Sequence, residues 1–570
     1  MSMMKRENFK TKGLKYSALA LAAALLAACS TTPLPPWQSP GTEQGKQLPP
    51  VGTPSAAPAS YSNAVAARFP APNVQYVTPG LQEGRQTFSS NEEVRAFLSE
   101  LVAGKNAGLT ANLQSIGKSQ QGADIHALFM SKGAGSTPAD FARSNKPTVL
   151  FIGQQHGNEP AGGEALLVTA KQLLKGPWSG VLDSINVIVV PLANPDGAAT
   201  QTRALSNQLD LNRDHLLLRS PEARALARLV RDYRPLVVVD NHEYMVGGRF
   251  EEKFKALQSY DAMLQYANTP NIGEFVVKAS GEWFVDPMFE ALKKDNLTTQ
   301  WYFSTPADPQ DAGLAMGGIR PDTGRNVNGL KNAVSLLVET RGIGIGREHI
   351  QRRVHTHVVA NGKVLEQAAA RAGHLRQVQE FVERDAASQA CHGNLIVDAA
   401  QTQEQRQITM LDPVSGADIV RQLPWKSSLA LRSTQERNRP CGYLLASSEN
   451  DVVARLQMLG LSVLRVAESG ELQVQQYVET GRSEGRRQDP HGAIVGEGPI
   501  RQVTVNLAPL TVEVPAGSYY IPMGQPLANL AAAALEPDTQ NSYFANGIQR
   551  NLNNLMRATE QPVLIFEEIE

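Results

Sequence analysis

Four runs of apolar residues, each the length of a β-strand, set the strongest limit on the fold of this chain. They cover residues 147–153, 185–192, 236–239 and 334–338. The first run (PTVLFIG) is continuously apolar, which indicates a central strand buried on both faces. Segments with helical spacing, such as residues 160–174 and 222–233, separate the runs. Strands that alternate with helices predict an α/β domain.

Side chains that can bind a metal follow three of these runs. His156 and Glu159 come after the first run, His242 after the third and Glu339 after the fourth. In sheets of this class, ligands bind beyond the carboxyl ends of the strands, so we expect these side chains to lie together. Two histidines and one carboxylate leave the fourth position of a zinc ion open, as a catalytic site requires. Glu339 is then a candidate general base.

The charge balance excludes one class of function. The 570 residues include 54 Lys and Arg against 55 Asp and Glu, for a formal charge of −1. Proteins that bind nucleic acid carry a basic patch or excess, so we expect no nucleic-acid partner. Because 42% of the residues are hydrophobic, the chain has enough apolar material for large cores and is not wholly disordered.

The first 28 residues resemble a bacterial secretory signal. Five of the first 15 residues are basic, and residues 18–28 are only Ala and Leu, a run too short to cross a membrane. Residues 26–29 (LAAC) resemble a bacterial lipobox, which implies that Cys29 is lipidated and becomes the mature N-terminus. Ser30 in place of Asp favours the outer membrane, facing the periplasm. The alternative is an ordinary signal peptide with an incidental cysteine.

A tether and a cysteine pair are expected in the mature chain. Residues 31–60 contain eight prolines and only two charged residues, and such a sequence stays extended. We assign residues 29–75 to this tether. Cys391 and Cys441 are expected to pair in an oxidising compartment; two buried free thiols are the alternative.

The chain resembles the M14 zinc carboxypeptidases in five short motifs that occur in the family's order. They are HGNE (156–159), NPDG (194–197), DLNRD (210–214), DNHE (240–243) and ETRG (339–342). The resemblance covers roughly residues 80–375. It implies a mixed central sheet flanked by helices and a zinc hydrolase that acts on peptides with a free C-terminus.

The resemblance also implies a role for each matching residue. His156, Glu159 and His242 would hold one zinc ion. Glu339 would activate the attacking water and protonate the leaving amine. Arg203 would polarise the scissile carbonyl, since a fixed cation stabilises a developing oxyanion; a surface arginine is the alternative.

Three more residues match supporting positions of the family. Asp210 would orient the first zinc histidine, as carboxylate–histidine pairs do at metal sites, although a turn or cap role is an alternative. Asn212 and Arg213 would grip the terminal carboxylate of the substrate, which suits the fork of a guanidinium. A structural role in the loop is the alternative for this pair.

One feature of the family is missing. Its carboxypeptidases carry a mobile tyrosine shortly before the catalytic glutamate, but residues 315–321 (AMGGIRP) contain none. Tyr302 is the nearest tyrosine upstream. Arg325 lies in a glycine-bounded loop and is a candidate for binding a carboxylate, with a surface charge as the alternative.

The last third of the chain predicts a β-rich accessory domain. Short alternating runs, separated by turn residues, occur at 407–411, 473–478, 500–507 and 510–514. The predicted organisation is a signal (1–28), the tether (29–75), a catalytic domain (76–380) and this domain (381–570).

Three functions follow from the sequence. The first is a zinc-dependent carboxypeptidase, anchored by lipid, that cleaves peptides of the cell envelope, with murein stem peptides as plausible substrates on location alone. The second keeps the zinc and cleaves the amide of an N-acyl amino acid, because the tyrosine is missing. The third is a lipoprotein that binds peptides without catalysis, which would have no use for Glu339.

Overall fold

The computed structural model describes residues 61–104 and 108–569. The signal, Cys29 and the tether up to residue 60 lie outside them. Part of the remaining tether is packed: Asn63–Ala66 is helical, and Val65 and Phe69 are buried against Val246 and Leu257. The folded part of the chain therefore begins before residue 76.

Strands and helices are numbered along the described chain. The strands are β1 Leu109–Lys118, β2 Asp124–Lys132, β3 Thr148–Gly153, β4 Asn186–Val190, β5 Val237–Met245, β6 Leu257–Gln258, β7 Ala262–Tyr266, β8 Thr299–Trp301, β9 Phe303–Ser304, β10 Leu314–Met316, β11 Val334–Ile343, β12 Asn394–Leu411, β13 Asp418–Asn438, β14 Gly442–Leu445, β15 Leu464–Val466, β16 Gly470–Gly485, β17 Gln488–Asp489, β18 Gly492–Ala493, β19 Ile500–Val514, β20 Tyr519–Pro522, β21 Leu555–Ala558 and β22 Phe566–Glu568.

The α-helices are α1 Asn63–Ala66, α2 Asn91–Ala103, α3 Pro138–Ser144, α4 Pro160–Lys175, α5 Pro195–Thr200, α6 Pro221–Tyr233, α7 Arg249–Phe254, α8 Glu274–Ala279, α9 Asp286–Lys294, α10 Gly324–Leu330, α11 Ile350–Ala370, α12 Ala372–Ser388, α13 Asn450–Leu459 and α14 Ala528–Leu535. Short 3₁₀ segments occur at Pro79–Leu81, Pro177–Asp183, Leu211–Arg213 and Leu552–Asn554, and a π-helical turn at Ser280–Val285.

An eight-stranded sheet forms the centre of the molecule, in the order β1-β2-β4-β3-β5-β11-β7-β8. Its middle strands β4, β3, β5 and β11 are parallel, whereas β1, β2 and β7 join antiparallel. The predicted mixed sheet flanked by helices is confirmed.

Strand β3 is buried on both faces, as its apolar sequence predicts. Val149 and Phe151 pack into one core with helices α4 and α11. Leu150 and Ile152 point the other way, into a core that includes helix α6. Because side chains alternate along a strand, a strand with a core on each side must be apolar at every position.

Strands β5 and β11 run further than the apolar runs predicted. The sequence pointed to strand ends at residues 239 and 338, but the parallel pairing continues and sets Glu339 opposite His242. Hydrogen bonds to the neighbouring strands keep the backbone of β5 and β11 extended past their apolar residues. His242 and Glu339 therefore lie on adjacent strands rather than in the loops after them.

The C-terminal region is rich in β-structure, as predicted. It holds a seven-stranded sheet, β19-β16-β21-β14-β20-β15-β22, and the long hairpin β12–β13. That hairpin also pairs with strands of the preceding region, β12 with β6 and β13 with β10. A boundary at residues 380/381 stays a prediction, since backbone hydrogen bonds cross it.

The described residues include both remaining cysteines. The structure joins Cys391 and Cys441 in a disulfide across a separation of 50 residues. None of the described helices combines the length and the apolar character needed to span a bilayer.

Candidate metal centre

His156 and Glu159 occupy the tight connection between β3 and α4. The connection opens with Gln154 in the left-handed region, at φ 51°. Gly157 packs directly on the backbone of Gly197, where a Cβ would lie 1.9 Å from the carbonyl carbon. Pro160 then starts helix α4. This close approach of two backbones holds the HGNE loop against the NPDG loop.

Three potential ligands converge at this edge of the sheet. Glu159 Oε1 lies 2.7 Å from His156 Nδ1, and Glu159 Oε2 lies 2.7 Å from His242 Nδ1. The two Nδ1 atoms are 3.1 Å apart. The ligand atoms all fall within 4.8 Å of one another, and all three residues are buried.

A carboxylate lies at the far nitrogen of each imidazole. His156 Nε2 is 3.1 Å from Asp210 Oδ1, and His242 Nε2 is 2.9 Å from Asp240 Oδ2. An ionised carboxylate only accepts hydrogen bonds, so these contacts place a proton on each Nε2 and leave the Nδ1 lone pairs directed at the centre.

The electrostatics of the cluster favour a cation. Burial alone would raise the pKa of Glu159, but the two imidazoles outweigh it and hold that pKa below its ordinary value. Burial would lower the pKa of His242, but Asp240 and Glu159 outweigh it and raise that pKa well above the usual range. A site that draws positive charge and presents two Nδ1 atoms and a carboxylate fits zinc with an open coordination position.

Asp240 is a functional candidate that the sequence reasoning missed. It is 2% exposed, and the Gln155 side-chain amide donates to it over 2.7 Å. A signal was available, because Asp240 opens the DNHE motif and precedes His242 by two positions on β5, where alternate side chains share a face.

Arg203 reaches the metal centre from the loop after α5. Its guanidinium donates to Asp210 Oδ2 through Nη2 (2.8 Å) and Nε (3.1 Å). Nη1 lies 3.1 Å from His156 Nδ1 and 3.4 Å from Glu159 Oε1. The structure thus aims this cation at the ligand cluster, as a residue acting on a substrate carbonyl requires.

Glu339 lies beside the cluster with little solvent contact. Its side chain forms no ion pair with any described residue, and the residue is 8% exposed. Burial raises its pKa to about 8, although His242 and Arg203 act in the opposite direction. A carboxylate with a pKa near neutrality can both accept and return a proton.

Tyr302 is also part of the site. Burial is the main cause that raises its pKa, and Glu339 adds to it, whereas the cations of Arg213, Arg203 and Arg325 lower it. Its ring and the Arg325 guanidinium lie against the same residue, since a Cβ on Gly317 would be 3.0 Å from Tyr302 Cδ1 and from Arg325 Nη2. This tyrosine comes from the connection between β8 and β9, not from the loop where the family carries its tyrosine.

The Asn212-Arg213 pair is engaged within the protein. Asn212 Nδ2 donates to Asp240 Oδ2 over 3.4 Å, and its Oδ1 accepts from Gly324 N over 2.9 Å. Arg213 donates to Asp489 Oδ2 through Nη2 (2.6 Å) and Nε (3.1 Å). The resemblance implied that Asn212 and Arg213 grip a substrate carboxylate, with a structural role in the loop as the alternative. In the structure, Arg213 holds the carboxylate of Asp489 from the C-terminal region.

Arg325 differs from the other two arginines of the site. It lies on α10, is 4% exposed, and donates through Nη2 to the carbonyl of Gly318. Its Nε has no partner among the described residues, and no described carboxylate forms an ion pair with it. Burial lowers its pKa to about 10.

Comparisons with known proteins find similarity to zinc carboxypeptidases. The family model for zinc carboxypeptidases (Peptidase M14) matches residues 96–224. Carboxypeptidase 2 of Trichophyton equinum is 27% identical over 479 residues, which cover 83% of this chain and 86% of that protein. Carboxypeptidase 2 of Trichophyton rubrum is 27% identical over 478 residues, which likewise cover 83% of this chain and 86% of that protein.

A solved metallo-carboxypeptidase from Burkholderia cenocepacia is 18% identical, with a TM-score of 0.36, and the match covers 49% of this chain and 69% of that one. The family match and the fungal relatives support a metallocarboxypeptidase hydrolase. They do not bear on the lipid anchor, which stays a prediction.

Proposed function

We propose that this chain is a zinc-dependent carboxypeptidase of the M14 type that acts on peptides in the bacterial cell envelope. The observation that carries the proposal is the convergence of His156 Nδ1, His242 Nδ1 and the Glu159 carboxylate within 4.8 Å. One zinc ion held by these groups would supply Lewis-acid activation of water and of the substrate carbonyl.

The residues around the ligands would transfer the proton, stabilise the developing charge and orient the histidines. The Glu339 carboxylate accepts a proton from the attacking water and returns it to the nitrogen of the leaving amine. The Arg203 guanidinium, fixed by Asp210, stabilises the negative charge that develops on the carbonyl oxygen. Asp210 and Asp240 hold the two imidazoles in the orientation and tautomer that metal binding needs.

Recognition of the substrate end falls to the cations of the site. A free C-terminal carboxylate would be held by a guanidinium, which matches its geometry. Arg325 supports this role because it is buried and has no carboxylate partner among the described residues. Tyr302 lies with Arg325 against Gly317.

A panel of substrates tests the proposal directly. The zinc-loaded protein is incubated with free-acid peptides, the same peptides amidated at the C-terminus, N-acyl amino acids and murein stem peptides. We expect hydrolysis of free-acid peptides from the C-terminus, its loss on chelation, and its recovery when zinc is restored. Equal rates on amidated and free peptides would contradict the carboxypeptidase proposal.

A second function has an observation in its favour. Arg213 is paired with Asp489, and residues 315–321 contain no tyrosine, so two elements of the family's carboxylate clamp are not available in their usual form. An N-acyl amino acid amidohydrolase with the same metal ligands fits this arrangement. The same panel identifies it by rapid hydrolysis of N-acyl amino acids and slow hydrolysis of peptides.

The proposed location of the protein is the cell envelope. It is supported by the basic, apolar and LAAC segments of residues 1–29, which are typical of a lipoprotein signal. We expect the protein in the outer-membrane fraction and the Cys29→Ala variant in the soluble or unprocessed fraction. Identical fractionation of the two proteins would contradict a lipid anchor at Cys29.

A further inference from the structure

A short hairpin of the C-terminal region contacts Arg213. Strands β17 and β18 pair Gln488 with Ala493 and Asp489 with Gly492. The Asp489 side chain is only 12% exposed, and its Oδ2 accepts two hydrogen bonds from Arg213. Its Oδ1 accepts from the backbone N–H of His491 over 2.7 Å. Both oxygens of this carboxylate are therefore in use.

Buried ion pairs hold the hairpin from both sides. Arg487, with no solvent exposure, donates to Glu497 Oε1 over 2.9 Å and to the carbonyl of Arg213 over 2.8 Å. Arg219 donates to the same Glu497 carboxylate through both terminal nitrogens. These contacts fix the chain before and after Asp489, so the hairpin is a built part of the site rather than a loose lid.

Close backbone contacts add to this anchoring. Gly496 has a φ of +77°, and a Cβ at this position would lie 1.9 Å from the carbonyl oxygen of Gln208. Gln540 exchanges two hydrogen bonds with the backbone of Gln488, of 2.9 Å and 2.7 Å. The position of Asp489 is thus determined by packing on several sides.

The ion pair with Asp489 makes Arg213 different in charge balance from Arg325. Arg213 has its own carboxylate, so its positive charge is neutralised inside the protein. Arg325 is more deeply buried than Arg213 but has no carboxylate partner in the described ranges, and its Nε is unpaired. A buried cation without a counter-charge is costly, and an anionic group on the substrate would offset that cost.

We propose that Asp489 is a positioning residue for specificity: it withdraws Arg213 from substrate recognition, so that a free carboxylate of the substrate binds to Arg325 instead. The inference rests on the proposed function and makes it more specific. It assigns to the C-terminal region a direct part in the choice of substrate.

The test compares variants on one peptide in its free-acid and amidated forms. Arg325→Gln is expected to reduce the preference for the free acid by about 10- to 100-fold, as for the loss of a hydrogen-bonded charge. The double variant Arg213→Gln/Asp489→Asn removes both charges of the pair together, and its preference is expected to stay within about threefold of wild type. A larger loss of free-acid preference in the double variant than in Arg325→Gln would overturn the proposal. Arg213 would then be the residue that binds the substrate carboxylate.

The single variant Asp489→Asn separates a positioning role from a structural one. It frees Arg213 as a second cation, so KM for the free-acid peptide is expected to fall several-fold while KM for the amide is unchanged. Asp489→Glu restores the charge and is expected to return KM toward wild type. If Asp489→Asn leaves KM for the free acid unchanged, Asp489 does not withhold Arg213.

Binding measurements keep this inference apart from the proposed function. Glu339→Gln versions of each variant, loaded with zinc, are titrated with the intact peptides by calorimetry. If wild-type protein hydrolyses no peptide, the proposed function fails. The titrations still show whether loss of Arg325 or loss of Arg213 weakens binding of the free-acid peptide more. If the Glu339→Gln protein binds free-acid and amidated peptides equally, the inference itself is wrong.

Discussion

At the scale of single residues, the candidate metal centre depends on two carboxylates that contact its histidines from behind. Asp210 and Asp240 each hold the Nε2 of one histidine, and this leaves the Nδ1 atoms for the metal. Such partners fix both the tautomer and the direction of the ring. The centre is therefore expected to weaken when either one loses its charge, although all three ligands remain.

Asp240→Asn and Asp210→Asn are each expected to lower the affinity for zinc by about 10- to 100-fold. The reason is that an amide holds the imidazole proton less strongly than a carboxylate and can also present a donor. Competition against a chelator of known affinity measures the change. Asp232→Asn, at an exposed position on α6, is the control. Equal affinities for all three variants would contradict the assigned roles.

The buried Glu339 carboxyl makes the metal-free protein sensitive to pH. Burial raises its pKa to about 8 in the folded state, from an ordinary value of 4.5. The folded state thus holds this proton more tightly than the unfolded state does. Stability from this group is full below pH 4.5 and is lost as the pH rises through 8.

Glu339→Gln has no such proton to lose, so in chelator we expect it to be more stable than wild type at pH 9, on the order of a few kcal/mol. The difference should be much smaller at pH 5. Thermal unfolding at the two pH values measures it, and Glu290→Gln at an exposed position of α9 is the control. A difference that does not depend on pH would show that Glu339 is not buried as a neutral acid.

At the scale of elements, two connections and two strands assemble the site. The HGNE loop after β3 and the NPDG loop that leads into α5 meet at Gly157 and Gly197. Strands β5 and β11 then bring His242 and Glu339 side by side. The short distance between the two loops leaves no room for a side chain, which makes the glycine of HGNE part of the metal site.

Gly157→Ala is expected to destabilise the protein by about 1–3 kcal/mol and to reduce its zinc content, because the new Cβ would meet the backbone of Gly197. Gly180→Ala is the matched control, since a Cβ there meets nothing within 4 Å. Chemical unfolding and metal analysis of the purified variants measure both effects. Equal stability of the two variants would show that the loops can move apart at little cost.

At the scale of the whole molecule, the C-terminal region is integral to the catalytic part. Strands β12 and β13 extend a sheet that begins with β6 and ends with β10 and β9. The same region supplies Asp489 to Arg213 and carries the disulfide between Cys391 and Cys441. We therefore expect that a change which destabilises this region also perturbs the metal centre.

The double variant Cys391→Ala/Cys441→Ala is expected to be less stable by about 4 kcal/mol in the chain-entropy model, for a closed loop of 50 residues. Unfolding in denaturant measures the change, with wild-type protein in reductant as a second route to the same state. Two alkylatable thiols in native wild-type protein would contradict the disulfide.

By itself, the sequence determined the features that depend on neighbouring residues. The apolar run of β3, the mixed α/β class and the candidates His156, Glu159, His242 and Glu339 follow from periodicity and from motif order, because burial and turn formation are largely local. The extension of β5 and β11 was missed, since adjacent strands impose it on polar residues. Only the tertiary structure decided that Asp489 neutralises Arg213. These residues are 276 positions apart, and no local pattern encodes a contact that the packing of a distant hairpin creates.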